Sequence, residues 1–490
     1  MAQRRNERSP GGEGAAVRGD LAALEGVLRR IDGRPYPAYR DLKGTWMLPE
    51  NVEIVVDHVQ GDPYAAPSRL RARVPTGLHT ASLVPGSLDD DPHGLSDAQV
   101  AAEDWLLRQF LRAMRSQPGG SGRSGEVHVL RPGPEVVARS ALRLGADGVA
   151  EVRLSAGLPA AGRRVLARQA FLLLTEVIVD ALGSLRSADL VPAVHAHVRS
   201  VRTQRQLRRA LESLGLVAFV ADGAVLPRAS GVDPRPLPGA VPFASPPSLS
   251  VVLQTAGGPV RGMGIPAGVT LIIGGGYHGK STLLHALESG HLDHIPGDGR
   301  QRVVVGPHAV KVRAEDGRRI ASVDVSAFLS TLPGGRSTRP LDSDDASGST
   351  SQAASIVEAI ESGAQVLLFD EDTSATNLLV RDPRMRQLVS RAHEPITPLV
   401  ERIRQLYENA GVSSILVVGG VGDALAVADR VLCMQDYAAT DLTQEAHRVG
   451  GPRPATPSPL PEALCRRVDR SSLAPGGKGR VRARDARVID

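Results

Sequence analysis

An apolar run, Val269–Ile273, leads straight into Gly274-Gly-Gly-Tyr-His-Gly-Lys-Ser281, and the chain continues as Thr282-Leu-Leu284. Few eight-residue stretches restrict a fold so tightly. The spacing is G-x-x-x-x-G-K-[ST], the P-loop pattern, which needs a strand before it and a helix after it. The glycines let the backbone N–H groups of Gly274, Gly275, Gly276, Tyr277, His278 and Gly279 turn inward around phosphate oxygens. The N-terminus of the helix opened by Lys280, Ser281 and Thr282 assists them. Lys280 is expected to neutralise the outer phosphates of bound ATP, and the Ser281 hydroxyl to hold Mg²⁺. An unrelated glycine-rich turn is the competing reading, but strand, loop and helix are all in place. Lysine is also scarce here, with only Lys43, Lys280, Lys311 and Lys478 in the chain, so its appearance at this position carries weight.

Ninety positions after that lysine stands Val366-Leu-Leu-Phe-Asp370-Glu371. A buried strand ending in two carboxylates fits a Walker B element, with Asp370 in the Mg²⁺ shell and Glu371 as the catalytic group acting on the attacking water. Upstream, Ala346-Ser-Gly-Ser-Thr350 stands where an ABC signature (L-S-G-G-Q) falls relative to Walker B. Ser347, Gly348 and Ser349 are its candidates for contacting nucleotide in trans, and Gln352–Ser362 is expected as the helix behind them. After Glu371, the run Ser374, Ala375, Thr376 and Asn377 resembles the D-loop pattern. The position of the usual switch histidine, past the strand Ile415–Val418, holds Gly419-Gly-Val-Gly-Asp423 instead. No side chain at Gly419 or Gly420 can reach a γ-phosphate, which predicts slow turnover or another polar group; Asp423 is a weak substitute. No Q-loop glutamine is evident, since Gln301 comes too early; Glu315, Asp316 or Asp324 could approach the metal from that region.

A chain of 490 residues exceeds one typical domain. The apolar share of 42% can build real cores, and the formal net charge of +5 permits an anionic partner without requiring one. Cys433 and Cys465 are too few for a disulfide scaffold. The polar start has no signal-peptide core, and the apolar stretch Ala170–Leu182 carries Glu176 and Asp180 and is too short to span a bilayer. A cytoplasmic protein without a membrane partner is expected. The fold class expected is α/β: a P-loop core behind a separate α+β N-terminal domain, with a short basic C-terminal segment. The expected limits are 1–19 for a disordered leader, 20–240 for the N-terminal domain, 241–450 for the ATPase domain and 451–490 for the basic segment. The boundary falls in Pro-rich Leu226–Pro247, expected as a linker. In the first domain, strands are expected at Val52–Val56, Val127–Leu130 and Val149–Leu154, and helices at Ser96–Arg115 and Gly162–Leu185. In the second, Glu394–Asn409 is expected as a helix. Gly120-Ser-Gly-Arg-Ser-Gly125 is too short for a phosphate loop and is expected as a connector.

Long stretches of the chain resemble the predicted ATPases of the ABC class. They include Ile31-Asp-Gly-Arg34, Asp57-His-Val-Gln-Gly-Asp-Pro63, Gly157-Leu-Pro159, Leu214–Asp222, Gly262-Met-Gly-Ile-Pro266, Gly274–Leu284, His294-Ile-Pro-Gly-Asp-Gly299, Ala346–Ala354, Asp370–Asn377 and Glu394-Pro-Ile-Thr-Pro398. The resemblance runs from near Leu28 to the basic tail near Lys478. It implies a family-specific N-terminal domain, the ABC-type core and a small C-terminal part that continues further in relatives. Because an ABC signature acts across an interface, one ATPase domain per chain implies a head-to-tail homodimer.

Three functions compete. The first is a nucleotide-driven clamp on nucleic acid, RNA favoured over DNA. It draws on Arg199, Arg202, Arg205, Arg208 and Arg209 of the expected helix Arg199–Leu214, and on Arg466–Asp490 with eight basic residues against three acidic ones. A merely solvated charged face is the plainer reading of those arginines. The second is an interaction switch with little turnover. The third, the ATPase subunit of a transporter, is disfavoured by the large N-terminal domain and by the short distance from Lys280 to the signature.

Overall fold

The computed structural model of the protein describes residues 17–78, 83, 96–115, 119–186, 189–332, 335–381, 394–420, 422–453 and 460. The basic tail 466–490 and the leader up to residue 16 lie outside them.

The N-terminal unit rests on a largely antiparallel sheet. Its central strands are β1 (Gly44–Leu48), β2 (Val52–His58) and β3 (Ser68–Pro75), followed by helix α1 (Asp97–Ala113) and strand β4 (Val149–Ala156), which pairs with β3. Alternation fixes which way β3 faces. Leu70, Ala72 and Val74 enter the core, while Arg71 and Arg73 lie on the other face beside Asp57 (2.7 Å) and Glu151 (2.7 Å). Ser96 caps α1 by accepting the Gln99 N–H at 3.2 Å. Two expectations need correction. The strand at Val127 is only two residues long, Val127–His128. The helix expected over Gly162–Leu185 starts at Ala167 and passes through a π turn, Leu173–Val177, before continuing as Ile178–Gly183.

Helix α2 (Leu190–Ser213) joins this unit to the rest. Val194, Val198 and Val201 sit in the N-terminal core, whereas Leu207 and Leu211 pack with Phe219 and Leu253 of the next sheet. Each such fully buried aliphatic side chain contributes roughly 1.5–3 kcal/mol, so both ends of α2 are firmly seated.

Beyond α2 come β5 (Leu216–Ala221), β6 (Ser250–Thr255), β7 (Gly258–Pro266), β8 (Val269–Ile273), helix α3 (Lys280–Ser289), β9 (Val303–Val305) and β10 (Ala309–Lys311). Helix α4 (Gly348–Glu361), β11 (Val366–Asp370), helix α5 (Leu399–Ala410), β12 (Ser413–Val417), β13 (Arg430–Gln435) and β14 (Ala438–Asp441) complete it. Two sheets result. An antiparallel one has the order β6-β7-β5-β9, and the other has the order β10-β11-β12-β8-β13-β14. The latter is parallel except for β14. One face of the parallel sheet packs on α3 and the antiparallel sheet through Ile272, Leu283, Leu368 and Met263. Its other face meets α4 and α5 through Leu271, Phe369, Ile356 and Ile403.

The Pro-rich stretch expected as a linker is packed into this unit. Leu226 and Phe243 are buried in its core, and the Val225 N–H donates to the Gly299 carbonyl at 3.0 Å. Since β5 pairs with β7, residue 240 lies inside a packed unit rather than between two. Helix α5 begins at Leu399, not Glu394, because Pro395 and Pro398 cannot supply amides to a continuing helix and Pro398 takes the cap position. Among the described residues no helix is long and apolar enough to cross a membrane.

Candidate functional site

In the parallel sheet β8 lies between β12 and β13, and Ile272 and Asp370 both align with Val417. The strands therefore end together, and their trailing loops meet at one carboxyl edge, the usual place for a ligand in such sheets. The loop after β8 turns at Gly274 (φ 139°) and Gly279 (φ 95°). A side chain at Gly274 would put a Cβ 2.2 Å from the Met434 carbonyl oxygen of β13, so only glycine fits. Tyr277, at the tip, has φ 64° and is fully exposed. The loop is pinned from the side: His278 Nδ1 accepts the Asp436 N–H at 2.9 Å, and the Tyr437 N–H donates to the His278 carbonyl at 3.2 Å. Asp436 and Tyr437 form the tight turn between β13 and β14, both at positive φ. Lys280 Nζ reaches across the loop to the Gly275 carbonyl at 2.7 Å. The loop amides and those of the first turn of α3 are the donors that an anion-binding cradle requires.

At the end of β11, Asp370 is buried and its Oδ1 has no hydrogen-bond partner among the described residues. A buried carboxylate oxygen left unpaired is costly, and a hard divalent cation is the ligand that would satisfy it; with the Ser281 hydroxyl on the adjoining helix, the donor set suits Mg²⁺. Glu371 is the next residue. Its Oε2 accepts the N–H groups of both Gly419 and Gly420, the latter at 3.2 Å. The glycines at the position expected for a switch histidine are thus bonded to the second of the two strand-end acids.

The candidate signature begins α4. Ser347 takes the cap position, is exposed, and its Oγ lies 3.0 Å from Thr350 Oγ1, with Ser349 Oγ at 3.5 Å. Asp316 and Glu315 lie against this helix start: a Cβ at Gly348 would be 3.1 Å from Asp316 Oδ1, and Ser351 Oγ accepts the Glu315 N–H at 2.9 Å. Asp324 instead faces Arg339 at 3.3 Å. One turn into α4, fully buried Gln352 donates to Ser374 Oγ at 3.0 Å and accepts the Ala375 N–H at 2.8 Å. The signature helix and the D-loop candidates are therefore fastened to each other, while Thr376 and Asn377 stay exposed.

The arginines of α2 are not a free basic face. Arg205 and Arg208 pair with Asp293 at 2.7 and 3.1 Å, and Arg208 also donates to the carbonyls of Gly290 and Leu292. Arg202 and Arg209 have partners within the protein as well, and Arg199 is exposed. The helical period shows which side they share; it cannot show that Asp293 comes to meet them. Asp293–His294 also pairs with the strand Glu135–Val136 of the N-terminal unit, and Gln204 bonds both the N–H and the carbonyl of His294. Beneath it, Asp298 receives His294 Nδ1 and Arg228 Nη2, both at 2.8 Å. Burial would raise its carboxyl, but these two partners outweigh burial and hold it below its ordinary range. Burial, reinforced by Arg228, pushes the neighbouring Arg300 guanidinium down to about 10.

One feature of the loop's surroundings has no motif. Leu226, Pro227, Val241 and Phe243 of the Pro-rich stretch form a small recess with Gly279, Thr282, Met434 and Tyr437. Gly120–Gly125 packs against the Gly157–Ala160 backbone, and Gly120 leaves no room for a Cβ beside the Ala160 carbonyl.

Comparison with known proteins agrees with this layout. The model of the P-loop domain of the ABC ATPases matches residues 191–468, and the one described as ATPase of the ABC class N-terminal matches residues 21–186. An uncharacterized protein of Methanocaldococcus jannaschii is 32% identical over 265 residues, 51% of this chain and 58% of that protein. The chain thus spans little more than half the length of that relative. The aliphatic sulfonates import ATP-binding protein of Rhodopseudomonas palustris is 27% identical over 261 residues, 46% of this chain and 84% of that protein. Among solved structures, cbiO1 of Clostridium perfringens, part of the ABC transporter complex cbiONQ, is 14% identical and covers 46% of this chain and 87% of its own, with a TM-score of 0.25, too low to carry an argument.

Proposed function

The chain belongs to the ATPases of the ABC class, and from that premise we propose that it binds ATP at Gly274–Thr282 and hydrolyses it with Glu371 as the base. The observation that carries this reading is the shared carboxyl edge, where the phosphate loop and Asp370–Glu371 follow the two strands that flank β12. In it, the loop amides and Lys280 hold the β and γ phosphates. Ser281 and Asp370 would hold Mg²⁺, whose charge offsets that of the phosphates. Water attacks the γ phosphorus and gives its proton to Glu371. The bond to the β–γ bridging oxygen breaks, and its electron pair leaves with ADP.

The exposed Ser347 and the partly exposed Gly348 and Ser349 close on phosphates held by a second copy in this reading, which makes the working form a homodimer with two composite sites. The free-energy difference between ATP- and ADP-bound states then drives opening and closing. A cytoplasmic setting goes with this reading. We further propose that the closure acts on nucleic acid, RNA favoured over DNA. Of the α2 arginines the exposed Arg199 and Arg209 support this most directly, with the basic stretch 466–490 as the larger contribution. A second reading, a nucleotide-dependent interaction switch with slow turnover, is favoured by the glycines at the switch position.

The deciding experiment compares wild type with Glu371→Gln. Wild type should hydrolyse ATP, and the variant should lose about a hundredfold or more in kcat while still binding ATP and accumulating as a dimer. Equal rates would overturn the hydrolytic reading. RNA and DNA binding by the same locked variant should weaken as salt rises, and binding that ignores salt would sink the nucleic-acid proposal.

A further inference from the structure

The loss of the switch histidine leaves a question that the backbone answers. In the hydrolytic reading proposed above, on which this inference rests, Glu371 must be held where it can take a proton from water, and its side chain is only half-buried on a short turn, Glu371–Thr373. Nothing in the sequence names a side chain to hold it. The two peptide N–H groups of Gly419 and Gly420, just past the end of β12, converge on one of its oxygens, Oε2. Among the described residues no donor is placed on Oε1.

We propose that Gly419 and Gly420 are positioning residues for hydrolysis, holding Glu371 with two backbone donors. Hydrogen bonds to an ionised carboxylate are about twice as strong as neutral ones, and two on a single oxygen fix its place and the carboxyl plane. Oε2 is anchored and Oε1 is left to receive the proton of the attacking water. The anchor comes from β12, which is hydrogen-bonded both to β11, carrying Asp370, and to β8, carrying the phosphate loop. The base is thereby referenced to the same sheet that positions the phosphates, and no flexible side chain intervenes. The glycines themselves are not forced by strain: neither has a positive φ, and a Cβ on Gly419 or Gly420 would lie 3.6 or 3.7 Å from the Glu371 carboxylate, an ordinary contact. What the site uses is the N–H, together with the absence of any side chain that would compete for Oε1.

This separates the amide from the shape of the residue. Gly419→Pro deletes one donor; Gly419→Ala restores it at the cost of one methyl group in van der Waals contact. The expected result for proline is a kcat about tenfold to a hundredfold below wild type with KM for ATP changed by less than about threefold, since positioning of the base and not phosphate binding is lost. The alanine variant should recover most of that loss. In the Glu371→Gln background, proline should add no further decrease, because the group it anchors no longer acts as a base. Gly420→Pro is the parallel variant, and ATP binding and a melting curve confirm that each protein is folded. Proline with wild-type kcat, alanine as impaired as proline, or an additive loss on Glu371→Gln would each overturn the proposal. A wild type that Glu371→Gln does not slow would instead overturn the hydrolytic reading itself.

Discussion

Gln352 offers a direct test of how the candidate signature helix and the candidate D-loop are joined. Its side chain is fully buried, and both ends are used, the amide group donating to Ser374 and the carbonyl oxygen accepting from Ala375. Gln352→Met keeps the unbranched shape and removes both polar ends. Both residues are partly exposed, but the Ser374 hydroxyl can rotate to another partner, whereas the Ala375 N–H is fixed by the backbone and is the group that suffers. Leaving such an amide unpaired costs about 1–3 kcal/mol. Gln352→Ala adds a cavity, and the combined loss should reach about 2–5 kcal/mol. Both tryptophans, Trp46 and Trp105, lie in the N-terminal unit, so intrinsic fluorescence is the wrong probe. Hydrogen exchange at the Ala375 amide is the right one. In the methionine variant it should speed up by roughly one to two decades, the equivalent of that free energy. Turnover should fall while nucleotide affinity holds, because the phosphate loop is untouched. Unchanged Ala375 protection would refute the idea that Gln352 ties the two segments together.

Two further outcomes concern the scaffold. Asp104 in α1 has no exposed side-chain surface and meets Arg108, Arg139 and His197 at 2.7, 2.8 and 3.2 Å. Asp104→Ala leaves Arg108 and Arg139 without their carboxylate and should cost about 3–5 kcal/mol, seen as a lowered urea midpoint of the N-terminal unit by tryptophan fluorescence. Asp298 gives a pH signature: its folded carboxyl lies below the ordinary 3.8, so its contribution is complete above that value and lost as pH falls through the folded pKa. The stability gap between wild type and Arg228→Ala should therefore be present at about pH 7 and shrink at about pH 3; a gap independent of pH would remove Asp298 from the account.

Much of the site is legible in the sequence because its parts are consecutive. Val269–Ile273 is the strand expected, and Asp370 ends the strand Val366–Asp370, with Glu371 directly after it, as the apolar run implies. Ser347 caps a helix, and its register with Asp370 is enough to place it. The parts that stay hidden are those in which the deciding partner is distant or has no letter of its own. Gly419 and Gly420 act through amides that every residue except proline possesses. Asp436 braces His278 from 158 positions away. Phe243 enters the core from a proline-rich stretch whose composition suggests a tether. The α2 arginines do form a row, but a row of cations looks the same in a sequence whether water or Asp293 faces it.

That last pairing has a mechanical meaning. Asp293 comes only four residues after the final turn of α3, the helix that begins at Lys280. Through it the far end of the phosphate-binding helix is bolted to α2 and stitched to Glu135–Val136. The N-terminal unit is thus mounted on the nucleotide engine as a lever on its axle. Any displacement of the end of α3 must therefore be carried by, or must break, the Asp293 ion pairs and the two-residue strand that join it to the N-terminal unit.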